Sequence, residues 1–282
     1  MIAGLHSFIL LGAGQAGIGP ALPAFQARFA FDTAVASWLI SSLGIGSFCG
    51  LVGLYFLGHV VTPRRALSVM AAGAGLLALA PGFVATVGGG ALFGLGFGSA
   101  AALFNVRTLA AFGAKGPAMV SLLNAGHSVG AIVAPLLFVG LGSDPAVIFG
   151  NIAAMTASTI LLTGKAGGEA AARTKPGDGG VQFHLPILAF GLVAIGIEVS
   201  LGGLGPSAMI RAGIPATRAA ELLSAFFLAF LAGRPGLTLL ADRVQPFAVF
   251  TVATLSTALC ALACASLRSF WPHRRSAPSW PR

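Results

Sequence analysis

Polar side chains that could bind a solute or carry a proton stand out because they interrupt long apolar stretches. Glu198 is a carboxylic acid well inside one such stretch, within the pattern "VAIGIEVSLGG". An ionised Glu is costly inside a bilayer, so this residue is expected to face a cavity or to be protonated. Glu198 is therefore a candidate for proton coupling or substrate binding, and a neutral, hydrogen-bonded structural role is the alternative.

Amide and imidazole groups form a second set of candidates. Asn124 and His127 are three residues apart and therefore share one face of a helix. They could hydrogen-bond the hydroxyl groups of a solute, whereas hydrogen bonding between helices is the ordinary alternative. Gln15 is expected to line a cavity in the first helix. Asn105 is expected near the cytoplasmic end of the fourth helix, where gating or topology is its expected role.

Other chemistry finds little support among these residues. The histidines show no metal-ligand spacing, and no Ser, His and Asp set can be assembled for nucleophilic catalysis. A Walker loop for nucleotide phosphates is also missing from the sequence. We therefore expect a protein that is not an enzyme and that needs no metal and no cofactor, with the proton as its possible coupling ion.

The composition indicates that these residues lie in helices surrounded by lipid. Of the 282 residues, 56% are hydrophobic and only 8% are charged, whereas an ordinary soluble domain carries roughly 25% charged residues. The mean hydropathy is +0.93. The net charge of +9 does not indicate a nucleic-acid partner, because the basic residues stand at the ends of apolar segments rather than on one face.

Nine apolar segments have about the length of 20 residues that a helix needs to cross a bilayer. They run near Leu5–Gln26, Trp38–Val61, Leu67–Ala85, Gly88–Leu109, Met119–Leu141, Val147–Thr163, Leu185–Met209, Leu222–Ala241 and Phe247–Leu267. In the fourth segment Gly90, Gly94 and Gly98 recur at every fourth position, so they share a helix face that permits close packing.

The charges between the segments predict the topology. With the amino terminus in the cytoplasm, the outside loops hold Arg28, Arg211 and Arg218, and the basic residues of the other loops fall inside. Cytoplasmic loops collect Lys and Arg. We therefore predict a multi-pass protein of the cell (inner) membrane with a cytoplasmic amino terminus. The lipid bilayer and a small solute are the expected partners, without nucleic acid or an obligate protein partner.

An internal repeat divides the chain. Sliding the sequence against itself by 183 residues aligns Gly19 with Gly202 and Pro23 with Pro206, and it pairs Gln15 of the first copy with Glu198 of the second. Six segments precede the second copy, so both copies have the same orientation, as in transporters built from parallel repeats. The predicted units are a six-helix half at 1–164, a cytoplasmic loop at 165–183, a partial half of about three helices at 184–267 and a basic tail at 268–282.

Three stretches of the chain resemble the major facilitator superfamily, and within it the fucose-permease-like sugar transporters. The first is the family's loop motif, which the second copy keeps as "LLADR" with Asp242 and Arg243, and which the first copy alters to "LGHVVTPRR" with His59, Arg64 and Arg65. The others are "GLGFGSAAALFNVR" with "SLLNAGHSVGAIVAPLL", similar to the fourth and fifth helices, and "VAIGIEVSLGGLGPSAMIRAGI", similar to the seventh.

The resemblance implies an all-α membrane protein of the major facilitator type, with a complete six-helix amino-terminal half and about three helices of the second half. It also implies secondary active transport of a small hydrophilic solute, such as a sugar moved with protons, by alternating access. An inactive truncated remnant is the first alternative. The second is an efflux-type transporter of the same superfamily for another small molecule.

Overall fold

The computed structural model describes residues 1–164, 185–240, 251–252, 254–260 and 262–263. All regular elements in this part of the chain are helical. The helices are α1 (Ile2–Phe29), α2 (Thr33–Ala36), α3 (Trp38–Leu57), α4 (Pro63–Leu79), α5 (Phe83–Phe112), α6 (Gly116–Gly140), α7 (Pro145–Leu162), α8 (Leu185–Arg211) and α9 (Ala216–Leu240), with a 3₁₀ turn at Gly113–Lys115. The described residues between 251 and 263 are also helical.

Several helical stretches are long and apolar enough to cross a membrane. Among the described residues they are Ile2–Phe29, Ala34–Leu57, Phe83–Gly140, Pro145–Leu162 and Ala216–Gly233. Phe83–Gly140 contains both α5 and α6, joined by the 3₁₀ turn. The prediction of an all-α, multi-pass membrane protein is therefore confirmed at this level. The identity of the membrane and the side of the amino terminus stay predictions.

The third predicted span was wrong at its carboxyl end. The apolar pattern was extended to Ala85, but α4 ends at Leu79. Ala80 adopts the left-handed conformation (φ 39°, ψ 58°), and its N–H donates to the Leu76 carbonyl. Pro81 follows, and the residue before a proline is disfavoured in the right-handed helical region. Local backbone chemistry therefore ends the helix although the sequence stays apolar, and α5 already begins at Phe83.

Two helices begin with an N-cap side chain followed by proline. Thr62 accepts a hydrogen bond from the Arg65 N–H, and Pro63 opens α4. Asp144 accepts a hydrogen bond from the Ala146 N–H, and Pro145 opens α7. Proline is suited to the first helical position because an N–H at that position would have no acceptor within the helix, so its absence costs no hydrogen bond.

Arginine side chains show which helix ends lie together. The Arg28 guanidinium, at the end of α1, donates to the Leu79 carbonyl oxygen at the end of α4 (3.2 Å). The Arg64 guanidinium, at the start of α4, donates to the Gly164 carbonyl oxygen just after α7 (2.6 Å). Helices α1 and α4 therefore end on one side, while α4 begins on the side where α7 ends, which is the alternation that the loop charges predict.

The contacts divide the chain into two compact units, Met1–Leu231 and Ala232–Arg282. In the first unit a single large core joins α1 to α7, with fully buried Phe25, Phe93 and Phe149 among its largest members. The second unit contains the end of α9 and the helical residues between 251 and 263. The predicted connecting loop, 165–183, and the predicted tail, 268–282, lie outside the described residues.

The predicted glycine face of α5 packs against α3. A Cβ on Gly94 would overlap the Leu43 carbonyl oxygen, and a Cβ on Gly98 would overlap that of Ser47. A Cβ on Gly90 would overlap the Ser42 hydroxyl. The two helix backbones therefore approach so closely that only glycine fits, which is how helices commonly associate in lipid.

Gly94→Ala is expected to destabilise the protein because the added methyl group must push α3 away from α5. Overpacking of this kind costs about 1–3 kcal/mol, and thermal unfolding in detergent should begin at a lower temperature. Gly88→Ala is the matched control, since it lies on the same helix and a Cβ there meets no described residue within 4 Å. Equal melting temperatures for the two variants would contradict the close contact.

Candidate functional site

The crossing of α1 and α6 brings the first two candidate residues together. A Cβ on Gly12 would overlap the His127 carbonyl oxygen, and a Cβ on Gly130 would overlap the Ile9 carbonyl oxygen. Each helix thus presents a glycine to the backbone of the other. The close approach places the side chain of Gln15, one turn after Gly12, within reach of the imidazole on α6.

Gln15 and His127 form a hydrogen bond between the two helices. The distance from His127 Nε2 to Gln15 Oε1 is 3.2 Å, and both side chains are half-buried. With the amide oxygen as acceptor, Nε2 is the donor of this hydrogen bond. Phe97 of α5 packs edge-on to the imidazole, with ring centroids 6.1 Å apart and an interplanar angle of 77°.

Asn124 lies on α6 one turn before His127, as the spacing predicts. Its Nδ2 donates to the Val120 carbonyl oxygen of its own helix (2.9 Å). The Ser128 hydroxyl donates to the backbone carbonyl of Asn124 (3.2 Å). The Asn124 amide thus uses one of its N–H groups within α6, and its carboxamide oxygen is a hydrogen-bond acceptor.

Helix α8 approaches the Gln15 side chain. A small cavity of about 20 Å³ is lined by Gln15 and Ile18 of α1, Ile40 and Leu43 of α3, and Val199, Gly202 and Gly203 of α8. This volume is enough for about one water molecule. Glu198 directly precedes Val199 in the middle of α8 and is half-buried. Gln15 and Glu198, which the internal repeat aligns, therefore both lie at the level where α1 and α8 approach each other.

Asn105 does not join this group. It lies eight residues after Phe97 on α5, which corresponds to about 12 Å along the helix axis. Its Oδ1 is buried and has no hydrogen-bond partner among the residues that the structure describes. The half-buried Arg107, two residues further on, lines a different cavity at the end of the helix.

The loop-motif residues of the first copy lie at the opposite end of α3 from Trp38. His59 is exposed in the turn after α3. Arg64 donates to the Gly164 carbonyl oxygen, and Arg65 donates to the Val60 carbonyl oxygen (2.5 Å). Both guanidinium groups therefore bind backbone carbonyls. Asp242 and Arg243, the motif of the second copy, lie outside the described residues.

Sequence reasoning missed two contributors to the site. Phe97 was not singled out, because an aromatic residue in an apolar helix has no distinctive pattern. Gly12 was not singled out either, although a glycine one turn before a polar residue in a membrane helix signals a close contact beside that residue. The pairing of Gln15 with His127 was also not foreseen.

The arrangement offers neutral donors and acceptors beside one aromatic ring. Hydroxyl groups of a solute match this chemistry, since the Gln15 amide nitrogen can donate and an amide oxygen has a second lone pair that can accept. Within the described ranges, His, Cys, Asp and Glu residues form no group of three that could hold a metal ion. No protein-family model matches the chain, and no curated protein matches it.

The hydrogen bond between Gln15 and His127 is expected to give a measurable coupling energy. In a double-mutant cycle of Gln15→Leu and His127→Leu, the coupling in the free energy of unfolding in lipid or detergent should be about 0.6 kcal/mol, the average for hydrogen bonds between membrane helices. A cycle of Gln15→Leu with Asn105→Leu is the control, because residues without shared contacts couple weakly. Equal coupling in the two cycles would argue against a direct bond.

Proposed function

We propose that this chain is a secondary active transporter of the major facilitator type that moves a small hydrophilic solute by alternating access. The main supporting observation is that residues of α1 lie next to their repeat equivalents in α8. A Cβ on Gly19 would overlap the carbonyl oxygen of Gly202, its repeat equivalent. Pro23 and its equivalent Pro206 line one cavity of about 170 Å³.

A contact between equivalent residues has a simple geometric meaning. When two like units are related by a two-fold axis, residues near the axis meet their own equivalents. Gln15 approaches Val199, Gly19 approaches Gly202 and Pro23 approaches Pro206, so α1 and α8 run in the same direction. This supports two like-oriented repeats about an axis along the membrane normal.

Contacts from the neighbouring helices support the same relation. A Cβ on Gly203 of α8 would lie 2.7 Å from Ile40 Cδ1 of α3. In the other direction, Leu223 and Phe227 of α9 pack in one buried cluster with Ala16 of α1. The repeat aligns Ile40 with Leu223. Helix α3 thus contacts α8, and α9 shares a buried cluster with α1 and with Ala131 of α6, as a two-fold relation would produce.

The proposed solute site lies where the two repeats meet. Transporters of this kind bind their substrates near the bilayer midplane at the repeat interface. We assign Gln15, His127 and Asn124 to hydrogen bonds with solute hydroxyls, and Glu198 to the coupling proton. A sugar is the proposed solute class, because the family resemblance and the neutral polar groups agree on it. Asn105 is assigned to gating, since it lies two turns of α5 away from the site.

Proton-driven uptake is the decisive measurement. In vesicles with an imposed proton gradient, the wild-type protein is expected to accumulate a radiolabelled sugar above its external concentration. Glu198→Gln should still exchange solute but should no longer concentrate it, because the amide cannot carry a proton. Glu221→Gln is the matched control, since that carboxylate is exposed and pairs with Arg218 at the surface (2.6 Å).

Other outcomes separate the alternatives. Accumulation that is unchanged in Glu198→Gln would remove this residue from the coupling mechanism. Solute expelled against its gradient would indicate the efflux-type transporter. Uptake absent for every sugar tested, but gained after three helices from a complete relative are grafted onto the carboxyl end, would favour the inactive remnant.

A further inference from the structure

A second and larger cavity lies at the end of the helices, away from Gln15 and His127. It has a volume of about 530 Å³, within the range of small-molecule sites. It lies where α1 and α4 begin and where α5 and α7 end. The lining residues are Met1, Ile2, Ala3, Gly4, Pro63, Phe104, Arg107, Thr108, Ala111, Phe112, Leu162 and Thr163.

The walls of this cavity combine an apolar surface with two cationic groups, the Arg107 guanidinium and the α-amino group of Met1. Arg107 is the only charged side chain among the described residues that line it. Phe104, one turn deeper on α5, packs against Gly4, where a Cβ would meet its ring at 3.3 Å. Two hydroxyl groups, those of Thr108 and Thr163, are also present. The Thr163 hydroxyl donates to the Ile160 carbonyl oxygen (2.6 Å) and keeps its lone pairs for another donor.

We propose that this cavity binds a single-chain anionic amphiphile, namely a long-chain fatty acid whose carboxylate pairs with Arg107. A guanidinium presents its donors as a planar fork that matches a carboxylate, and its five N–H groups allow a second partner within the protein. Apolar walls keep an alkyl chain out of water, whose contact with the chain would cost about 0.8 kcal/mol for each CH₂. Cationic groups beside apolar walls call for a ligand with a negatively charged head and an apolar body.

The position of the cavity favours a fatty acid over a two-chain phospholipid. Its walls come from α1, α4, α5 and α7, which also share the main core of the first unit, so the cavity opens between the ends of these helices. A single chain can be enclosed there with its headgroup at Arg107. Two chains that remain in the bilayer would have to pass between packed helices.

This proposal is independent of the solute site. The cavity shares no lining residue with the small cavity beside Gln15. Its apolar walls are unsuited to a sugar, whose hydroxyl groups would lose hydrogen bonds with water and gain few in return. The fatty acid is therefore a bound effector or structural ligand and not the transported solute.

Photolabelling tests the proposal directly. Purified protein in phosphatidylcholine nanodiscs is irradiated with a palmitic acid analogue that carries a diazirine on its alkyl chain, and the labelled peptides are mapped by mass spectrometry. Labels are expected in the first turn of α1 and near Phe104 and Phe112 of α5. Excess palmitate should remove them, whereas acetate and hexadecanol, which lack the chain or the charge, should not.

Two variants with matched controls localise the site. Arg107→Gln should reduce this labelling about tenfold or more, in line with the loss of a charge-assisted hydrogen bond, and Lys115→Gln at the same end of the protein should leave it unchanged. Ala111→Trp should abolish it by filling the cavity. Ala110→Trp, next to it on α5 but outside the lining, should not.

Several results would overturn the assignment. Labels that persist in both Arg107→Gln and Ala111→Trp would show that the probe reports the lipid surface alone. Stronger competition by phosphatidylglycerol than by palmitate would assign the cavity to a phospholipid, and competition by acetate would assign it to a free carboxylate. Melting temperatures of all variants in detergent serve as the folding control, and the two independent cavity variants keep the test decisive if one is unstable.

Discussion

The structure depends on contacts at backbone distance between helices that lipid surrounds. In a bilayer the tails are as apolar as the side chains, so helices associate through close packing and hydrogen bonds. Helix α1 shows this most clearly, because its glycines allow α6 to pack at backbone distance on one face and α8 on another. Gly12 lies against α6 and Gly19 lies against α8, with Gln15 between them in sequence. The polar side chain is held in place by the same contacts that join the helices.

Much of the architecture was accessible from the sequence because hydropathy and small-residue spacing are local signals. The all-helical class follows from apolar runs of bilayer length, and the spacing of Gly90, Gly94 and Gly98 marks a close contact that the structure has with α3. The end of α4 was missed because a hydropathy pattern does not register backbone conformation. Ala80 ends the helix in the left-handed region before Pro81, within sequence that is as apolar as the helix itself.

The site was predictable as a set of residues but not as an arrangement. Each polar residue could be picked out because it is rare in an apolar helix. Which of them meet depends on which helices are neighbours, and helical periodicity does not contain that information. Gln15 meets His127 because α1 crosses α6, whereas Asn105 lies two turns of α5 away from the group. The repeat was the exception, because aligning Gly19 with Gly202 anticipated residues that approach each other in space.

The hydrogen bonds that arginine side chains make at the helix ends do not depend on pH. Within the described part of the chain, Arg28, Arg64 and Arg65 each donate to a backbone carbonyl oxygen. A carbonyl oxygen does not titrate in the physiological range, and a guanidinium keeps its proton throughout that range. These hydrogen bonds therefore keep the same strength whether the adjoining compartment is acidic or neutral, so α1 stays joined to α4, and α4 to the end of α7, over that range.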